Sequence, residues 1–335
     1  MTITIPYGNR KVDLQEHLSG VLASHSQNTP YWKDKFTPKE VRRIVKDNLE
    51  DTLYSLSKLE VDPQLLRTRW TGFTPENLKN ARCSFSSGTT GPQKYCLWGE
   101  DYINSHTDYL AYYITKQGIE IKNAIIQGPS SVYKDLNERF IHRIGGNPYF
   151  IGLRVEGVKP IMEQAAKKGH EEITRVMKEY FGIEIEKTKA ILEHDDKINF
   201  MRSAWMILAP FEEFFGDKRN VDTVMVSGLG YSAQTHEMLK SKFKNVIPSY
   251  GYFAFGDALG VCKDDNVDYY PTFPHTIATV VRDNGDIAQY GEEGHPLFVI
   301  ARPDLFLVLK ESNEFATRVP PTGDFNWDGI RNPRR

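Results

Sequence analysis

The chain has 335 residues, of which 40% are hydrophobic and 26% charged, and its 42 basic and 44 acidic side chains leave a formal net charge of −2. At about 100–200 residues per domain this is one large domain with subdomains or two ordinary ones, and the balanced composition excludes a mainly disordered or fibrous chain. There is no basic excess to hold nucleic acid, and the three cysteines are too few for a disulfide framework and match no zinc-ribbon spacing, so a reducing compartment is expected.

The N-terminus carries no apolar run of signal-peptide length. Residues 204–211 form an apolar stretch well short of the ~20 residues that span a bilayer. A cytoplasmic protein without membrane or nucleic-acid partners is expected. Apolar residues at three- and four-residue intervals predict helices over 12–26 and 38–56, so that 1–80 reads as a helical lead-in. A short strand at 81–85 then meets Ser86-Ser87-Gly88-Thr89-Thr90-Gly91-Pro92, which is too rich in Gly, Ser and Thr for a regular element and reads as a loop. A strand over 93–99 and a helix from Asp101 follow.

Strands and helices then alternate. Strands are predicted at 123–131, 221–228 and 244–251, and helices at 159–182, 199–216 and 232–243. This order predicts an α/β fold over 81–260, with parallel-type sheets covered by helices. Residues 261–328 read as a C-terminal antiparallel β segment, with a hairpin turn at Asp283-Asn284-Gly285-Asp286 and strands at 295–302, 305–311 and 314–320.

The loop carries the strongest chemical signal. Its glycines let backbone N–H groups approach an anion, the hydroxyls of Ser86, Ser87, Thr89 and Thr90 add donors, and Lys94 adds a positive charge. It is not a Walker A loop, since Gln93 precedes Lys94 and Tyr95 follows it, and its glycine spacing is not that of a dinucleotide fingerprint. The run from Ser86 to Gly91, with Lys94 after it, resembles the phosphate-binding loop of the adenylate-forming enzymes: the acyl- and aryl-coenzyme A ligases, peptide-synthetase adenylation domains and luciferases. The proline stands one place early, and Gln93 takes its usual position.

Further segments fall in the family's order. Ser227-Gly228-Leu229-Gly230 follows an apolar strand, as does the family's adenine-lining turn. Pro248-Ser249-Tyr250-Gly251 matches the start of a motif whose tyrosine packs on adenine, but Phe253 and Ala254 stand where a hydroxyl and a Mg²⁺-binding carboxylate belong. Asp257, three residues on, is the alternative metal ligand. Thr322-Gly323-Asp324 resembles the motif whose aspartate holds the ribose hydroxyls, and Gly291-Glu292-Glu293-Gly294 resembles the turn before the family's β segment.

The resemblance covers roughly residues 80–328 and is nearest the phenylacetate-coenzyme A ligase-like branch, on whose acyl-pocket segment Gly145 to Phe150 would fall. It implies an ATP-dependent acid ligase that makes an acyl-adenylate, releases pyrophosphate and passes the acyl group to a thiol or amine. Lys94 and Thr89 are the implied catalytic residues. Ser86 through Gly91 with Lys94, Ser227, Gly228, Tyr250, Gly251 and Asp324 would bind nucleotide, and Asp257 the metal. The implied cofactors are ATP and Mg²⁺, with coenzyme A a further candidate, and the implied partner is a small carboxylic acid. Only eleven residues follow Asp324, so the family's small C-terminal domain is expected to be absent and a partner protein or domain to complete the site. Two other readings stay open: a nucleotide-binding protein without catalysis, and an acyl-protein synthetase passing its acyl group to Cys83, Cys96 or Cys262. A serine hydrolase fits poorly, because Gln234 stands where a nucleophile elbow at Ser232 needs glycine. The nine histidines form no zinc motif.

Overall fold

A computed structural model describes residues 2–7, 10–86, 92–153, 161, 164, 168, 170–208, 221–228, 231–323 and 325–334. Two compact units emerge. One comprises Met1–Phe85, Lys94–His106 and Tyr252–Arg335, the other Ser86–Gln93 and Thr107–Gly251.

The first unit opens with a small hairpin, Thr2–Ile5 against Arg10–Asp13, in register Ile3↔Val12. Its alternation of Thr and Ile is a strand pattern that the helical reading of 1–80 passed over. Helix Leu14–Asn28 follows, capped by the Asp13 carboxylate, which accepts from the N–H groups of Gln15 and Glu16. The single helix expected over 38–56 is two, Val41–Ile44 and Leu49–Ser57, because Asn48 takes an extended conformation and caps the second through the Asp51 N–H.

Antiparallel strands make up most of the C-terminal part of this unit, Tyr252–Arg335. They run in the order Gly256–Lys263, Asn266–Tyr270, Gly329–Arg334, Phe315–Val319, Glu293–Arg302 and Thr276–Val281, with Leu305–Lys310 also paired to Glu293–Arg302. Glu293–Arg302 and Leu305–Lys310 are almost wholly buried. The N-terminal helices cover them. Trp32 Nε1 donates to the Phe306 carbonyl at 2.8 Å, and His25 Nε2 to that of Arg302 at 2.8 Å. Burying an apolar side chain such as Phe306 in this layer contributes about 1.5–3 kcal/mol. The turn at Gly285 forms as expected, with φ +85° and the Gly285 N–H bonded to the Arg282 carbonyl. Its second arm is only a bridge at Ile287, because Thr276–Val281 pairs with Glu293–Arg302 instead.

The second unit holds the parallel strands, in the order Asn147–Gly152, Asn123–Gly128, Ile198–Ala204, Thr223–Ser227 and Asn245–Tyr252. Helix Val132–Arg143 links the first two, and helices His170–Tyr180 and Gly182–His194 lead on to the third. In His170–Tyr180 the buried residues are Ile173, Val176 and Met177, spaced for one helical face, and they join Met201, Val224, Val226 and Leu239 in the core. The expectation of a helix over 199–216 is corrected at its start, since 198–204 is a central strand followed by the short helix Trp205–Leu208. A strand buried on both faces loses its alternation, which is why the two readings look alike in sequence. The polar residues in that strand are paired: Arg202 with Asn137, and Ser203 donating to Gln127 Oε1 at 2.6 Å.

The predicted fold class therefore holds: an α/β part with parallel strands under helices, and a C-terminal antiparallel part. No helix among the described residues is long and apolar enough to cross a membrane.

Candidate functional site

Strands Arg82–Phe85 and Tyr95–Trp98 form an antiparallel ribbon, with Cys83 opposite Leu97 and Ser84 opposite Cys96. The ribbon brackets the Gly-, Ser- and Thr-rich segment, so Lys94 stands where the chain re-enters it. The Lys94 ammonium lies 3.4 Å from Glu311 Oε1, and the two side chains are only 13% and 14% exposed. Tyr252 donates its hydroxyl to the same oxygen. The ammonium also sits 5.7 Å from the centre of the Phe253 ring. Sequence reasoning named Lys94 but missed Glu311, which lies 217 positions away and belongs to no motif.

The segment after Tyr250-Gly251 is tied down through its backbone. The Phe253 carbonyl accepts from Ser84 Oγ at 2.6 Å and Trp98 Nε1 at 3.1 Å, with Cys96 Sγ at 3.5 Å. Arg302 donates to the Ala254 carbonyl at 3.1 Å, and Tyr102 to that of Phe255 at 2.5 Å. Phe255 and Ala254 are fully buried. This stretch is an apolar wall with satisfied carbonyls, and it offers no side-chain hydroxyl or carboxylate between Tyr252 and Gly256.

Asp257 belongs to that buried structure. Its N–H donates to His106 Nε2 at 3.2 Å, its Oδ2 lies 3.6 Å from the same nitrogen, and its side chain is 4% exposed. Since Nε2 accepts, the ring proton sits on Nδ1, which donates to Thr272 at 2.5 Å. A hydrated cation such as Mg²⁺ needs a reachable carboxylate. Asp257 is not placed as one, and no group of three metal-ligating side chains occurs among the described residues.

In the second unit, Ser227 and Tyr250 lie near the carboxyl ends of neighbouring parallel strands that pair Val226 with Pro248. Both are half-buried, while Gly228 and Gly251 are exposed. Gly228 has φ +120°, and a Cβ there would stand 3.5 Å from Ala204 Cβ and Trp205 Cδ1. Glycine thus suits this positive-φ position just after the strand. Open parallel sheets bind ligands outside the carboxyl ends of their strands. A polar cleft of about 270 Å³, lined by Glu120, Lys122, Asn199, Asp222 and Lys244, lies at the opposite, amino-terminal ends.

Ser86 is half-buried at the end of the first ribbon strand. Ser87, Gly88, Thr89, Thr90, Gly91 and Asp324 lie outside the described residues. Around Asp324, Thr322 and Phe325 are bridged to each other. Burial raises the pKa of the Cys83 thiol and pushes that of Cys96 up to about 12. A thiol shifted in that direction is a poorer nucleophile at neutral pH, which weighs against either cysteine as an acyl acceptor.

The whole chain superposes on a 2-hydroxyisobutyryl-CoA ligase solved with 2-HIB-AMP and CoA in its thioesterification state, with a TM-score of 0.66 and 13% identity, over 99% of this chain and 68% of that one. An open conformation of that ligase matches with a TM-score of 0.64 and 11% identity, over 95% of this chain and 67% of the other. The chain shares the fold of this ligase. The chain spans about two thirds of the length of these ligases. No family model and no curated relative matches the sequence.

Proposed function

We propose that the chain activates a small carboxylic acid with ATP. A carboxylate oxygen attacks the α-phosphorus, the new O–P bond forms as the bond to pyrophosphate breaks, and the products are an acyl-adenylate and pyrophosphate. The acyl group then passes to a thiol, as in coenzyme A, or to an amine: the acceptor attacks the carbonyl carbon and loses its proton, and the acyl–oxygen bond breaks to release AMP. The observation that carries this reading is the acyl-CoA ligase fold together with the placement of Lys94 at the exit of the Gly-rich segment.

Lys94 supplies positive charge where the pyrophosphate leaves, with Ser86, Ser87, Gly88, Thr89, Thr90 and Gly91 cradling its phosphates. A fixed charge aimed at a leaving group acts mainly in the transition state. Ser227, Gly228, Tyr250 and Gly251 are assigned to adenine and Asp324 to the ribose hydroxyls. A further domain or partner protein would complete the site. Mg²⁺ accompanies ATP in chemistry of this kind, but the buried Asp257 does not fit as its ligand, and no step is derived through a metal.

A second reading, nucleotide binding without catalysis, is favoured by one observation. Phe253 and the fully buried Ala254 stand where the resembled motif has a hydroxyl and a carboxylate. Exchange of labelled pyrophosphate into ATP separates the two, because only a catalyst performs it. The nucleotide assignment itself is tested by calorimetric titration with ATP. Lys94→Ala should weaken binding about tenfold or more and Cys83→Ala should leave it unchanged; equal affinity in Lys94→Ala and wild type contradicts the assignment.

A further inference from the structure

Glu311 is a carboxylate aimed at Lys94 from a fixed backbone. Its N–H donates to the Pro296 carbonyl at 3.0 Å, and its own carbonyl accepts from the Glu314 N–H at 2.9 Å. Its Oε1 takes both the Lys94 ammonium, at 3.4 Å, and the Tyr252 hydroxyl. The Phe253 ring lies to one side of the ammonium. Charges this far withdrawn from solvent are screened less than an exposed pair. An anion drawn to Lys94 therefore also meets the Glu311 charge close behind it, which offsets part of the lysine's attraction until the ammonium leaves its partner.

We propose that Glu311 is a counter-anion latch on Lys94. An anion binds there only by taking the ammonium from Glu311, while Tyr252 keeps the carboxylate in place. The latch makes the site selective for polyphosphate chains, which carry enough charge to displace a carboxylate, over singly charged anions. The inference rests on the reading of Lys94 as a phosphate ligand.

The test is calorimetric titration of the 335-residue chain with sodium tripolyphosphate in EDTA at fixed ionic strength. Wild type is compared with Glu311→Gln, Glu311→Ala, Lys94→Ala and the double variant Lys94→Ala/Glu311→Gln, each checked for a cooperative unfolding transition. Glu311→Gln should tighten binding about tenfold, the equivalent of about 1.4 kcal/mol. Glu311→Ala should do the same if the loss of the charge is what matters. In the Lys94→Ala background the gain should shrink to less than about threefold, because the latch acts through the lysine. Weaker or unchanged binding in both Glu311 variants, with Lys94→Ala weakened, overturns the latch and leaves the phosphate reading standing. An equal gain with and without Lys94 also overturns it, since the carboxylate would then act by direct repulsion. Unchanged binding in Lys94→Ala overturns the phosphate reading, and the latch falls with it.

Discussion

Trp98 donates its indole N–H to the carbonyl of Phe253 at 3.1 Å, fixing the backbone of a loop 155 positions away in sequence. Ser84 and Cys96 reach the same oxygen. The ribbon that brackets the Gly-rich segment is thus bonded to the stretch whose Tyr252 and Phe253 flank Lys94. The position of the lysine depends on this joint as well as on its own strand.

Removing one donor leaves the carbonyl partly satisfied, so Ser84→Ala should cost about 0.5–1.5 kcal/mol. Trp98→Phe keeps the ring and loses the N–H, and should cost a similar amount. The two together leave only the thiol, and their combined cost should exceed the sum of the single ones. Urea denaturation of the four chains measures this cycle. A strictly additive result would show that the donors do not share one acceptor in energetic terms.

Arg302 and Asp304 should matter more. The guanidinium is buried, donates to the Ala254 and Leu97 carbonyls and lies 3.1 Å from Asp304 Oδ2, which also accepts from the Gly99 N–H at 2.6 Å. Breaking a buried pair by removing one partner strands the other charge, at about 3–5 kcal/mol. Asp304→Ala should lower the unfolding free energy by that amount, and a loss below about 1 kcal/mol in denaturant titration would show that the pair is dispensable.

Acid should destabilise the chain before its carboxylates titrate. Burial, with the neighbouring His17 adding to it, brings the pKa of His275 down to about 3 from an ordinary 6.5. Burial also lowers those of His17 and His25. Such a group is neutral when folded and takes up a proton on unfolding. Its stabilisation is fully present above pH 6.5 and is lost as the pH falls from 6.5 toward the folded value. For His275 that loss is about 1.4 kcal/mol per pH unit between pH 6.5 and its folded value. The urea midpoint should therefore drop steeply between pH 6.5 and 4. His275→Phe should flatten that drop by removing the titrating group, and among the described residues Nδ1 of His275 has no hydrogen-bond partner that the change would strand. An unchanged slope in the variant would remove His275 from the account.

Local signals explain what could be read from the sequence. The helix Leu14–Asn28 was legible because its apolar residues recur at three- and four-residue intervals, and Gly285 marks its turn because φ +85° suits glycine. The alternation of strands and helices gave the α/β part for the same reason. Residues 198–204 misled, since Phe200 and Met201 are buried on opposite faces of a central strand and leave no period to see. The candidate site was half legible. Lys94 follows a contiguous run of Gly, Ser and Thr, whereas Glu311 reaches it only through the folding of a distant strand end. Asp257 looked available because sequence carries no sign that His106, 151 positions earlier, would be packed beside it.

The central claim is that Lys94 serves an ATP-dependent activation of a carboxylic acid. The most direct measurement is exchange of labelled pyrophosphate into ATP by the purified chain, with Mg²⁺ and a panel of small carboxylic acids including short hydroxy acids and arylacetates, run beside Lys94→Ala. The account predicts exchange that depends on at least one acid and falls about 10²–10³-fold in the variant, the usual cost of one charge aimed at a transition state. Exchange that is indifferent to the acid, or that Lys94→Ala performs as well as wild type, would contradict it.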